Sequence, residues 1–138
     1  MTAADAMTPG PLTITPRTSV AAALRLARDN GIAHLPVVER GTIVGVVRQE
    51  RLLALTPSEA TTLSRHELHD ALARLTVERA VEPALVLAAT TPLAEAARHL
   101  LERSAHEALV VEDGRLAGIL THSDLLRALL ARTPEPVA

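Results

Sequence analysis

A chain of 138 residues is long enough for one compact domain or for two small repeats that share a core, and 48% hydrophobic against 22% charged residues exclude a chain disordered throughout. A net charge of −2 supplies no basic excess for nucleic acid, the absence of Cys removes disulfide and thiolate chemistry, and the absence of Phe, Tyr and Trp leaves no ring to stack on a base. No apolar run approaches the roughly 20 residues of a membrane span, and "MTAADAMTPG" lacks the basic-then-apolar order of a secretion signal, so a cytoplasmic protein without membrane association is expected.

In chain order, "LTIT" (12–15) predicts a short strand, after which Thr18 or Ser19 caps a helix by accepting from an unpaired backbone N–H. In that helix Val20, Ala23, Leu24 and Ala27 fall at i, i+3, i+4 and i+7, an apolar stripe with Arg25, Arg28 and Asp29 largely off it. "HLPVVE" and "TIVGVV" are β-branched runs on either side of Arg40-Gly41, which predicts a hairpin. A second helix starts near Gln49 and ends before Pro57. "TPSEATTLSRHELHDALARLTVERAVEP" then begins as a loop and continues as a helix from Ser64 to Leu75, whose Leu68, Leu72 and Leu75 give it one apolar side for docking.

From Ala84 the pattern returns. Shifted by 73 residues, Leu12 lies over Leu85, Thr18 over Thr91, Val37-Val38-Glu39 over Val110-Val111-Glu112, Gly41 over Gly114 and Gly45 over Gly118, without a gap. Asp113-Gly114 is a strong hairpin turn, because both residues tolerate positive φ. The expected fold class is therefore α/β (α+β): two β-α-β-β-α repeats, 1–56 and 77–138, joined by a connector with a helix at 57–76. A unit of about 45 residues buries too little surface alone, so the repeats are expected to pack with pseudo-twofold symmetry through their sheets.

Short strand, capped helix, "GIAHLPVV", turn, "GTIVGVV" and helix, occurring twice, resemble the tandem CBS-domain pair, also called a Bateman module. "AADAMTPGPLTITPRTSV" resembles the usual lead-in to the first repeat, and "TPSEATTLSRHELHDALARLTV" the connector of small acetoin-utilisation-type CBS proteins. The resemblance covers nearly the whole chain. It implies a regulatory module that takes an adenosine compound in a cleft between the repeats. In "GILTHSDLL" the family's ribose-phosphate motif falls on Gly118, Ile119, Thr121 and Asp124, with Ser123 in reach of phosphate. The facing wall falls on Pro11, Leu12 and Thr13 and on Ala33 and His34.

The residue chemistry agrees with that implication. A carboxylate at a helix start accepts from ribose hydroxyls, each bond to a charged group being worth about 1.5–3 kcal/mol. The Thr121 and Ser123 hydroxyls with first-turn N–H groups favour phosphate, and Leu12 and Ile119 can sandwich adenine. The other reading of Asp124 is an acid stabilised at a helix N-terminus, and of His34 a half-buried strand residue. In the first repeat Arg48 and Arg51 replace Thr121 and Asp124, and a guanidinium only donates. Glu107 stands where the first repeat has His34, so an Arg51–Glu107 or Arg48–Glu107 pair is expected to seal that cleft.

His66 and His69 of "HELHD" have the wrong spacing for a His-Glu-x-x-His site, and no cluster closes a metal site. An enzyme is not expected. The expectation is a cytoplasmic regulatory CBS pair that binds AMP, ADP or ATP without a cofactor, forms a homodimer and signals to an unknown protein partner. The alternative is a structural interaction module with empty clefts. His34, His122 and Arg17 supply few cations, which favours AMP over ATP.

Overall fold

The computed structural model describes residues 1–56 and 64–132, and they form two compact units, one from Leu12–Pro83 and one from Met1–Pro11 with the chain from Ala84 onward. In the first of these, helix α2 (Val20–Asp29) is capped by Ser19, whose hydroxyl accepts from the Ala22 N–H at 3.0 Å. Strands β2 (His34–Glu39) and β3 (Thr42–Arg48) pair antiparallel. Both turn residues, Arg40 (φ 51°) and Gly41 (φ 78°), take the left-handed conformation that matches the twist of a tight hairpin. Val20, Ala23 and Ala27 of the expected stripe are buried with Leu35, Val37, Val47 and Leu52 of helix α3 (Gln49–Ala54), and Leu24 packs against them.

The strand expected at 12–15 is reduced here to one parallel bridge, Ile14 with Val37. Pro16 is one cause, since it has no N–H: at the matching position of the second repeat the Ala89 N–H donates to the Val111 carbonyl at 2.8 Å. Pro36, on the facing strand, lacks an N–H too, where the second repeat has Leu109. The connector helix α4 (Arg65–Arg74) lies within the expected span, starts at a capping box of Ser64 and Glu67, and packs against α2. The loop expected at its beginning, 57–63, lies outside the described residues. After α4 the chain makes a 3-10 turn over Val77–Ala80, with both ends of the turn buried, and Glu82 exchanges two backbone hydrogen bonds with Val46 at 2.9 Å each.

The other unit holds a four-stranded sheet. Strand β4 (Leu85–Ala88) runs parallel to β5 (Glu107–Glu112), which pairs antiparallel with β6 (Arg115–Thr121), and β6 pairs antiparallel with β1 (Thr8–Pro9). Helices α5 (Leu93–Glu102) and α6 (His122–Arg132), with the short α1 (Ala3–Ala6), cover it around Leu87, Leu100, Val110, Leu120 and Ala128. Asp113 and Gly114 again both have positive φ, and both hairpins carry a bulge at the same place, Val37/Val38 and Val110/Val111.

The packing units thus cut across the sequence spans 1–56 and 77–138: the first eleven residues fold with the second repeat, and 77–83 fold with the first. Unmet backbone groups explain this. Helix α5 begins after Pro92, which offers no capping side chain, and the Leu93 N–H donates instead to the Met1 carbonyl at 3.0 Å while the Ala3 N–H donates to Thr91 at 2.8 Å. The same two bonds recur in the other unit, from the Val20 N–H to Leu75 at 2.7 Å and from the Val77 N–H to Thr18 at 2.9 Å. Among the described residues no helix is long and apolar enough to cross a membrane.

Candidate functional site

Strand β6 delivers Thr121 to the start of α6, and the Thr-x-x-Asp spacing closes there as a capping box. The Thr121 hydroxyl accepts from the Asp124 N–H at 3.3 Å, and Asp124 Oδ2 accepts from the Thr121 N–H at 2.8 Å and the Thr121 hydroxyl at 3.0 Å. Asp124 Oδ1 accepts from the Thr8 hydroxyl at 3.0 Å and from Arg127 Nη2 at 2.8 Å. A carboxylate offers about four acceptor positions, and the chain's own donors meet all of them. Asp124 is only 4% exposed, so this donor set is what keeps a buried charge tolerable.

Gly118 lies directly under the β1 segment. A Cβ there would collide with Met7 Sδ and come 2.8 Å from both Met7 Cγ and the Thr8 carbonyl oxygen, so glycine lets β1 approach β6 closely enough for Thr8 to reach Asp124. Ile119 is half-buried and is the cross-strand partner of Thr8. Ser123 is exposed in the first turn of α6. Glu107, 5% exposed, begins β5 in register with Thr121. His122 reaches back to the Ala105 carbonyl at 3.1 Å, its ring 6.2 Å from that of His106.

Gly118, Ile119, Thr121 and Asp124 are therefore brought together on one unit, joined by Thr8 and Arg127, which the sequence reading did not single out. Pro11 belongs to the same unit, at the end of its N-terminal segment, whereas Leu12, Thr13, Ala33 and His34 belong to the other. There Leu12 is 44% exposed, Thr13 is exposed, the Ala33 carbonyl accepts from the Gln49 N–H at 2.8 Å, and His34 opens β2 opposite Arg48. Arg17 is ion-paired with Glu39 at 2.7 Å, the arginine well exposed and the carboxylate half-buried.

Within their own unit the arginines of the first repeat flank a carboxylate that the sequence did not single out. Arg48 Nε lies 3.7 Å from Glu82 Oε2, and Arg51 Nε lies 3.9 Å from Glu82 Oε1. The carboxylate that flanks both is Glu82, because the 81–83 segment pairs along β3 and hangs Glu82 beside the start of α3. Arg48 and Arg51 hold the first and fourth positions of that helix start, as Thr121 and Asp124 do in α6. No side chain caps α3.

His66 of α4 lies 3.7 Å from Asp70 one turn on, both on the solvent side of the helix. Among the described residues no group of three or more His, Asp or Glu is placed to hold a metal ion.

The sequence matches the family model of the CBS domain twice, over residues 3–57 and 77–131. It is 34% identical over 137 residues to the CBS domain-containing protein CBSX2, chloroplastic, of Arabidopsis thaliana, covering 85% of this chain and 58% of that protein's length. The crystal structure of CBSX2 in complex with AMP is similar with a TM-score of 0.76 at 36% identity, over 94% of this chain and 96% of that one. A Vibrio cholerae protein of the acetoin-utilisation (AcuB) type has the same fold, with a TM-score of 0.77 at 22% identity over 95% of this chain and 91% of that one.

Proposed function

The chain belongs to the CBS-domain family, as a tandem pair, and we propose that it is a regulatory module that binds one adenine nucleotide per chain at the Thr121–Asp124 helix start. The observation that carries this reading is the difference between the two helix starts. One presents a carboxylate with hydroxyl neighbours, the acceptor that a ribose hydroxyl requires; the other presents two guanidiniums already facing Glu82. The relative at 36% identity was crystallised with AMP, and AMP is the ligand we assign. Few cations near Asp124 suit a monophosphate better than a triphosphate. A ligand role is proposed with it for Pro11, Leu12, Thr13, Ala33, His34, Gly118, Ile119 and Ser123. No catalytic group is part of this reading.

The remainder of the reading is regulatory. Leu101 and Leu126 of α5 and α6 are 76% and 61% exposed and line one apolar groove with Ala97 and Leu125, and we assign this face to a homodimer. Ligand occupancy would then pass to a protein partner, in a cytoplasmic setting; the plant relative is chloroplastic.

One observation favours the second reading, a structural module that binds nothing: every acceptor position of Asp124 is met from within the chain. Thermal unfolding with AMP, ADP and ATP separates the two. A ligand at about 100 times its Kd adds about 2.7 kcal/mol, so AMP is expected to raise Tm measurably. No shift with any of the three would leave the structural reading standing. Native mass spectrometry of undialysed protein would identify a co-purified ligand by its mass.

A further inference from the structure

We infer that Arg127 is a latch on this site: it occupies the carboxylate position that a ribose hydroxyl takes, and the need to release it lowers the affinity. The inference rests on the reading of Asp124 as a ribose contact. Of the four bonds to Asp124, the two on Oδ2 come from Thr121: its N–H closes the capping box, and its hydroxyl is held beside Oδ2 because it also accepts from the Asp124 N–H. On Oδ1, Thr8 is fixed by the pairing of β1 with β6. Arg127 is different. Its side chain is 69% exposed, it reaches back three residues along α6 on a long rotatable stem, and it can swing into water without breaking any main-chain bond.

A ribose hydroxyl therefore meets Asp124 at Oδ1, in place of the guanidinium, and not at both oxygens. Arg127 then acts in two ways. In the empty protein it neutralises the buried carboxylate, and on binding it has to be displaced. Because the guanidinium end of the pair is 69% exposed and a ribose hydroxyl takes its place on Asp124, the displacement lowers affinity only modestly, by about two- to fivefold. Arg127 is a positioning residue under this account, since it holds Asp124 in the empty state and leaves when the ligand arrives.

The test uses the whole chain and two probes, AMP and uncharged adenosine, with Arg127→Ala, a helix-compatible change at an exposed position. Arg127→Ala is expected to bind adenosine about two- to fivefold more tightly than the parent, with Arg127→Lys in between. Salt gives a readout that a merely structural role would not move. Adenosine carries no charge, so its affinity for the parent should rise with NaCl as the ion pair is screened, and the dependence should flatten in Arg127→Ala. Weaker or undetectable adenosine binding by Arg127→Ala, or the same salt dependence in both proteins, would overturn the latch while AMP binding by the parent left the proposed function intact. If the parent binds neither AMP nor adenosine, the proposed function fails and the latch with it.

Discussion

The Thr8 hydroxyl donates to Asp124 Oδ1 at 3.0 Å across 116 residues of chain. Its counterpart in the other unit is Glu82 beside Arg51: the positions match, and the polarity is reversed. A hydroxyl donor facing a carboxylate has become a carboxylate facing a guanidinium. The exchange of Thr and Asp for Arg in the first repeat is thus matched by a second exchange in the segment that pairs with it, which gives the two guanidiniums a carboxylate neighbour and leaves only one of the two helix starts with an acceptor of its own.

The close approach of these segments depends on Gly45 and Gly118. A Cβ on Gly45 would strike the Glu82 carbonyl oxygen and come 2.8 Å from Val81 Cγ1, whereas on Gly118 the first obstacle is the flexible Met7 side chain. Gly45→Ala is expected to cost about 2–3 kcal/mol and Gly118→Ala about 1–2. Denaturant unfolding followed by far-UV circular dichroism reads both, and a smaller loss for Gly45→Ala than for Gly118→Ala would contradict the packing described.

At the end of α5, Ser104 takes φ 51° where the first repeat has Gly31 at φ 61°. The left-handed conformation costs an L-residue about 1–2 kcal/mol, and glycine's extra chain entropy returns part of that gain. Ser104→Gly is expected to stabilise the protein by about 0.5–1 kcal/mol, a rise of a few degrees in Tm. A lower Tm would show that the Ser104 side chain makes a compensating contact.

Much of this was legible in the sequence. Ser19 as a cap, Arg40-Gly41 and Asp113-Gly114 as turns and the helix around 65–74 each follow from local chemistry, and local chemistry prevailed. Thr121 and Asp124 were legible as a pair because the capping-box spacing is itself local. The partners of that pair were not. "TAADAMTP" and "TVERAVEP" match at a shift of 74, one residue off the 73 of the repeats, so the likeness of Thr8 to Glu82 falls outside the ungapped frame. Arg127 is one of several helix arginines, and its residue type alone does not mark it as a partner of Asp124. The strand at 12–15 failed because Pro16 and Pro36 remove donors that a propensity reading of "LTIT" does not count.

The N-terminal segment should respond to acid. The Thr2 backbone N–H and then the Thr2 hydroxyl donate to the Asp5 carboxylate and hold its pKa below the ordinary 3.8. A depressed folded-state value contributes stability above pH 3.8, which is lost as pH falls through the folded-state pKa. Asp5→Asn is expected to lower Tm at pH 7 and to match the parent at the acid end of the window. An Asp5 titration midpoint at or above 3.8 by NMR would contradict the bond.

The proposed dimer is tested by placing a charge on its apolar face. Leu126 is 61% exposed on α6, so Leu126→Arg is expected to leave folding intact and to shift sedimentation from dimer to monomer. A monomeric parent, or a variant that still dimerises, would remove this face from the account.

The central claim is one nucleotide site per chain, built on Asp124 and absent where Arg51 replaces it. Isothermal titration calorimetry with AMP tests it most directly, at a temperature where every variant is shown to be folded, because Asp124→Ala also loses a helix cap worth about 1 kcal/mol. The expected result is one AMP per chain in the parent, affinity lowered roughly ten- to several-hundred-fold in Asp124→Ala, and nearly unchanged affinity in Arg51→Ala. Two equivalent sites per chain, or full affinity in Asp124→Ala, would contradict it.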